Sequence, residues 1–180
     1  LPPLPEQKRI AAKLKELMRE LEHARTACEK QTDTANALTP AYLREIFESK
    51  EAKKCEMKKL GDVCNLINGD AYKETDWSTT GIPIIRIQNL NDTNKSFNYW
   101  AGSLHNKVRV KNGDVLLAWS GTPGTSFGTH LWDRGEAVLN QHIFRLDFQD
   151  EKLFPEWSVY AINYQLDILI NLLPQRSESG

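Results

Sequence analysis

From Leu4 to about Cys55 the apolar positions recur at helical spacing. Ile10, Leu14, Leu17, Leu21, Ala24, Cys28, Gln31, Ala35, Leu38 and Tyr42 follow one another at steps of four and three in strict alternation. This is the a/d seam of a heptad repeat, and only Gln31 in it is strongly polar. Pro5-Glu6 suits a first helical turn: proline there forfeits no internal hydrogen bond, and the carboxylate faces the positive end of the helix dipole. Thr39-Pro40 reads as a second start, with Thr39 as N-cap. The pattern predicts a helix of about 30 residues, roughly 45–50 Å at the usual rise. A kink or short break is expected near Asn36 to Pro40, then a shorter helix to about Lys54.

A helix this long with so narrow an apolar stripe is not stable alone, because helices in water gain most of their stability by packing that stripe. A partner helix is therefore expected, from a second copy or from further chain. Docking of the stripe on the rest of this chain is the alternative, but a strict 3–4 seam is narrower than the face a globular helix usually buries. Ala24, Cys28 and Ala35 allow close approach, and Gln31 would fix register.

After Cys55 the pattern shortens into β-like runs between turn signals: Val63–Ile67, Ile82–Ile87, Val108–Val110, Val115–Trp119, Ala137–Leu139 and His142–Phe148. Phe154–Leu173 returns to helical period, with Phe154, Trp157, Tyr160, Ala161, Tyr164, Ile168 and Leu172 on one face. The expected fold class is α+β, a coiled-coil-forming helix (1–56) followed by a compact mixed α/β domain (57–180).

Composition sharpens that division. All 10 glycines and all 5 tryptophans lie at Gly61 or later. The net charge of −1 divides into 11 Lys+Arg against 10 Asp+Glu over residues 1–56 and 12 against 14 over 57–180. Such balance excludes a generic polyanion binder, so a nucleic-acid reader would need a local patch. Cys28, Cys55 and Cys64 fit neither a zinc knuckle nor a disulfide framework, and no secretory signal or membrane span is evident. Reduced thiols in the cytoplasm are expected. The chain opens on Leu, which suggests an excised or processed segment.

The glycine cluster Gly121-Thr122-Pro123-Gly124-Thr125-Ser126-Phe127-Gly128 lacks the lysine and spacing of a phosphate loop. It reads as a tight connection after a strand, with the hydroxyls of Ser120, Thr122, Thr125 and Ser126 available and no ligand required. Asn140-Gln141-His142 and Arg86-Ile87-Gln88-Asn89 sit at strand ends. Such side chains commonly satisfy turns, but they are also the ones that read base edges: Arg for guanine, Asn and Gln for adenine. A hydrolase built from Ser120 or Ser126, His130 or His142, and Asp114 or Asp133 is weak, because no nucleophile motif surrounds either serine. Neither a metal site nor a cofactor is expected, since the histidines show no ligand spacing.

In this order, the features resemble the specificity (S, HsdS-type) subunits of type I restriction-modification systems. Pro2-Pro3-Leu4-Pro5-Glu6-Gln7-Lys8-Arg9-Ile10 resembles the proline-rich lead-in to that family's conserved helical spacer. Leu60-Gly61-Asp62-Val63, Gly81-Ile82-Pro83-Ile84-Ile85-Arg86, Gly113-Asp114-Val115-Leu116, Ser120-Gly121-Thr122-Pro123-Gly124 and Asn140-Gln141 resemble landmarks of its target recognition domain.

The resemblance implies a non-catalytic DNA recognition subunit. A complete one has two recognition domains, each reading half of a split site, separated by two helices packed as an antiparallel coiled coil. It binds methyltransferase subunits that use S-adenosylmethionine, and restriction subunits join for cleavage. This chain carries one helix and one domain, half of that plan. An antiparallel homodimer, or pairing with the second half of an S subunit, is therefore expected. Candidate DNA-binding residues, chosen by side-chain type and position at strand ends and loops, are Lys73, Arg86, Gln88, Asn89, Ser120, Thr122, Thr125, Ser126 and His142. The competing reading is a coiled-coil adaptor whose globular domain binds protein.

Overall fold

The computed structural model describes residues 1–103, 105–121, 126–149 and 153–172. The chain divides into two compact units, Leu1–Ala52 and Lys53–Gly180. Among the described residues no helix is long and apolar enough to cross a membrane.

The first unit is a single helix, α1 (Leu4–Phe47), with Pro3 as N-cap and Glu48 as C-cap. The break expected near Asn36 to Pro40 is absent, and Pro40 lies inside the helix. A proline in a helix interior removes one backbone hydrogen bond and crowds the preceding turn, a local cost that 44 continuous residues absorb. The helix also ends earlier than expected. The Glu48 N–H bonds back to Arg44 O at 2.9 Å, and a 3₁₀ turn, Ala52–Lys54, follows. No residue of α1 is buried. Its seam stands open along its length, from Ile10 at 41% to Tyr42 at 61% exposure.

The second unit is α+β, as the pattern predicted. A short helix α2 (Leu60–Val63) leads into β1 (Cys64–Asn68). Then come β2 (Ile82–Ile85), α3 (Ile87–Asn91), β3 (Asn98–Trp100), β4 (Arg109–Val110), β5 (Val115–Ala118), β6 (Gly128–Leu131), β7 (Ala137–Leu139), β8 (Ile143–Phe148) and α4 (Pro155–Leu172). The strands form two sheets of four, ordered β1-β8-β5-β6 and β3-β2-β7-β4. The first is antiparallel throughout; in the second, β2 and β7 run parallel.

Strand alternation builds three layers of core. Leu116 and Ile143 of the first sheet meet Ile85, Val110, Ala137 and Leu139 of the second around Trp132. Val115 and Leu146 point the other way, with Leu117, Phe144 and Phe148, toward Val159 and Ile162 of α4. On the far side of the second sheet, Ile84 and Val138 pack under Tyr72, Trp77 and Trp100.

Two differences from the sequence pattern matter. The run Ile82–Ile87 does not stay extended, because Asn89 Oδ1 accepts the Arg86 N–H at 3.1 Å and starts α3. On α4, of the predicted face only Tyr164 is buried, and Phe154, Trp157, Tyr160, Ile168 and Leu172 are exposed. The side carrying Val159, Ile162 and Asn163 packs on the sheet instead.

Candidate functional site

Strand pairing brings several distant segments to one end of the two sheets. The ends of β5 and β8 meet at Ala118 and Ile143, β1 reaches the same level at Asn68 opposite Phe144, and β2 and β7 finish side by side at Ile85 and Leu139. The turns leaving those strands are stitched together. Gly69 N–H donates to Ile143 O at 3.2 Å, Asp70 N–H to Leu139 O at 3.0 Å, and Asn140 N–H to Ile85 O at 3.1 Å. Gly69 has to be glycine: a Cβ there would lie 2.3 Å from Asn140 O.

Arg86, Gln88, Ser120, Ser126 and His142 gather at this end. Arg86 holds its guanidinium 4.8 Å from the Trp77 ring centroid, a cation–π contact that fixes its direction. Ser126 Oγ accepts from Asn91 Nδ2 at 3.0 Å, tying the glycine-rich loop to the end of α3. Gly121, at φ +112°, packs so closely on Ser126 that a Cβ would come 2.5 Å from the serine Cβ. The two ends of that loop therefore meet. Thr122 and Thr125 lie outside the described residues.

Two candidates stand apart. Asn89 has no exposed surface. Besides its bond to Arg86, its Nδ2 donates to Lys95 O and Ser96 O, both at 3.1 Å, and its carbonyl accepts from Arg134 Nη2. It shapes the α3 turn, its side chain closed to solvent and bonded to backbone. Lys73 is exposed on the segment between Tyr72 and Trp77, over the outer aromatic layer; its N–H donates to Asp76 Oδ2 at 2.8 Å. Burial, with Asp70 nearby, pushes the Tyr72 phenol up to about 12, so it remains a hydroxyl.

The sequence reading passed over Trp119. This indole, 43% exposed, sits between Ala118 and Ser120 with its centroid 5.6 Å from the His142 ring and 6.0 Å from Phe144. The Trp119 backbone N–H donates to His142 O at 3.3 Å. The Gln141 Nε2 lies 3.3 Å from His142 Nε2, while the buried His142 Nδ1 has no partner. An aromatic residue at a strand end next to a polar loop was the available signal, but it had been counted into the strand.

The opposite end of the sheets differs. There an open depression of about 400 Å³ is lined by Arg109, Lys111, Asp114, Glu136, Arg145 and Asp147. Four of its charges are paired, Arg109 with Glu136 at 2.9 Å and Arg145 with Asp147 at 2.7 Å. The carboxylate raises the Arg145 guanidinium above its ordinary range.

Comparison with known proteins decides the family. A model of the type I restriction modification DNA specificity domain matches residues 52–177. The chain belongs to this family. The specificity subunit of the type I restriction enzyme EcoBI from Escherichia coli is 26% identical over 105 residues, 57% of this chain and 21% of that protein. Three solved structures share the specificity-domain fold. A chain from a study of type I R-M complex assembly and conformational transition aligns over 96% of this chain with TM-score 0.71 and 20% identity. The HsdS subunit from Thermoanaerobacter tengcongensis aligns over 99% with TM-score 0.59 and 20% identity. The type I S subunit from M. genitalium aligns over 94% with TM-score 0.52 and 15% identity. The chain spans about a fifth of the curated relative and 44–45% of these solved chains. The match to the specificity-domain model begins at residue 52, one residue before the globular unit, and takes in every strand among the described residues.

Proposed function

We propose that this chain is a sequence-specific DNA recognition module, half of a type I specificity subunit. Its globular unit reads one half of a split target, and α1 serves as spacer and pairing element. The carrying observation is the convergence of Arg86, Gln88, Ser120, Ser126 and His142, from four separate segments, on one rigid end of the sheets. Their donors and acceptors suit base edges, and few lysines flank them. Much of the phosphate contact then falls to partners, which fits the net charge of −1. The chemistry belongs to methyltransferase and restriction subunits, with this chain non-catalytic and working in the cytoplasm. The exposed seam of α1 is covered by a second helix of the same kind, antiparallel, from a second copy or from the other half of an S subunit. Two copies would recognise a palindromic split site.

The second reading, a coiled-coil adaptor with a protein-binding globular domain, is favoured by the exposed Phe154 just before α4 and the exposed Trp157, Tyr160 and Leu172 on it. Duplex binding over a salt series separates the two. A DNA reader weakens steeply with added salt, whereas an adaptor binds no duplex at any salt. Methylome sequencing with and without the intact gene then gives the target site directly.

A further inference from the structure

Two short polar segments leave the strands at the candidate recognition end, Ser120-Gly121 after β5 and Asn140-Gln141 after β7. Trp119 immediately precedes the first, and His142 immediately follows the second. Strand pairing sets these two side by side, through the Ala118–Ile143 register and the Trp119 N–H on His142 O. Their rings lie 5.6 Å apart, and Phe144 backs the indole from β8. The indole is thus braced on paired strands, yet Trp119 stays 43% exposed, with Ser120 next to it in the chain and Gln141 Nε2 3.3 Å from the neighbouring imidazole. A large apolar ring held open within a polar rim is the arrangement of a contact residue, since solvent exposure gains it nothing in the free protein. In the major groove, the apolar group to be read is the 5-methyl of thymine.

We propose that Trp119 is a specificity-determining residue that receives the 5-methyl group of one thymine, with His142 and Phe144 as positioning residues. This rests on the DNA reading above and adds to it one base and one contact. Gln141, 3.3 Å from the imidazole, holds His142 in turn.

The test is selection of the full chain on a randomised duplex library at low salt, followed by replacement of each thymine in the selected site by deoxyuridine. One replacement weakens wild-type binding about threefold to fivefold, the worth of one buried methyl. Trp119→Ala loses that sensitivity at that position alone and keeps the wild-type salt slope, because no phosphate contact is removed. His142→Ala reduces the sensitivity, and His142→Phe restores it by keeping an aromatic support. Circular dichroism checks that each variant is folded; should Trp119→Ala unfold, Trp119→Phe, with a smaller ring, gives an intermediate sensitivity. A selected site indifferent to deoxyuridine at every thymine, or unchanged in Trp119→Ala, overturns the proposal and leaves the DNA reading standing; the indole then serves a protein contact. A wild-type chain that selects no duplex sinks the DNA reading itself, and this proposal with it.

Discussion

The side-chain amide of Asn163 closes on both backbone polar groups of Thr129. Its Oδ1 accepts the Thr129 N–H at 2.7 Å and its Nδ2 donates to Thr129 O at 2.9 Å. Thr129 lies on β6, the edge of the first sheet, so a residue of α4 supplies what a further strand would have supplied. The Thr129 hydroxyl completes the contact by donating toward Asn163 Oδ1 at 2.9 Å and Val159 O at 3.1 Å. Because Thr129 is only 3% exposed, water cannot replace this partner. Asn163→Ala is expected to cost roughly 2–3 kcal/mol, the penalty of stranding buried backbone groups. Urea unfolding measures it, and a loss within error of zero would mean that β6 finds other partners.

Gly69 governs the candidate recognition end by a steric fit. Gly69→Ala places a methyl 2.3 Å from Asn140 O and 2.4 Å from Leu139 O, both backbone atoms that cannot swing away. The β7–β8 turn must shift, moving His142 and its neighbours. A stability loss of about 1–3 kcal/mol is expected, together with weaker duplex binding beyond what the loss of folded protein explains. Intact binding by the folded fraction would show that the turn does not touch DNA.

Arg86→Ala is expected to relax preference at one base and to cost roughly 1–3 kcal/mol of binding, the range for an arginine on guanine. Trp77→Ala tests the support beneath it, since the guanidinium is 4.8 Å from that ring. The expected result is a smaller loss at the same base. Selection on a randomised library reads both, and an unchanged base preference in Arg86→Ala removes it from the readers.

How far these features were legible from sequence depends on burial. The runs at β5 and β7 are apolar because both of their faces meet packed layers, and these two, with β8, were read at nearly their observed bounds. β3 (Asn-Tyr-Trp) and β6 (Gly-Thr-His-Leu) were missed. Both are sheet edges, where mixed polarity is tolerated and alternation fades. On α4, spacing alone selected the aromatic side, whereas packing chose the side where Asn163 reaches Thr129. The candidate site was legible in chemistry but not in arrangement. Side-chain type offered Arg86, Gln88, Ser126 and His142 as candidates, but only the register of β5 on β8 puts Trp119 against His142. Asn89 shows the converse: the right chemistry for adenine, spent wholly on backbone.

His130 gives the globular unit an acid-side weakness. Burial first, and the nearby Arg134 guanidinium second, hold its imidazole below the ordinary value of 6.5. The unfolded chain therefore takes up a proton more readily than the folded one, and stability falls as pH drops through about 6.5 toward the lower folded value. Above that range the residue is neutral in both states and adds no slope. Urea midpoints measured at pH 7.5 and 5.5 are expected to drop on acidification, and His130→Gln is expected to flatten part of that drop. A slope unchanged in the variant would assign it to other groups.

The exposed seam of α1 allows the pairing element to be tested apart from the reader. All 5 tryptophans lie in the globular unit, so their emission reports on that unit, whereas the far-ultraviolet helical signal is dominated by the 44 residues of α1. Leu21, 65% exposed in the isolated chain, occupies the middle of the seam. In a paired helix, an aspartate there would bury an unpaired charge, which neither water nor a facing leucine can satisfy. Leu21→Asp is therefore expected to turn a sedimenting dimer into a monomer and to lower the helical signal, because a lone amphipathic helix frays without its partner. Tryptophan emission should stay unchanged. If the wild-type chain is already monomeric at micromolar concentration, the seam is filled by another polypeptide and not by a second copy; if the variant still dimerises, α1 is not the interface.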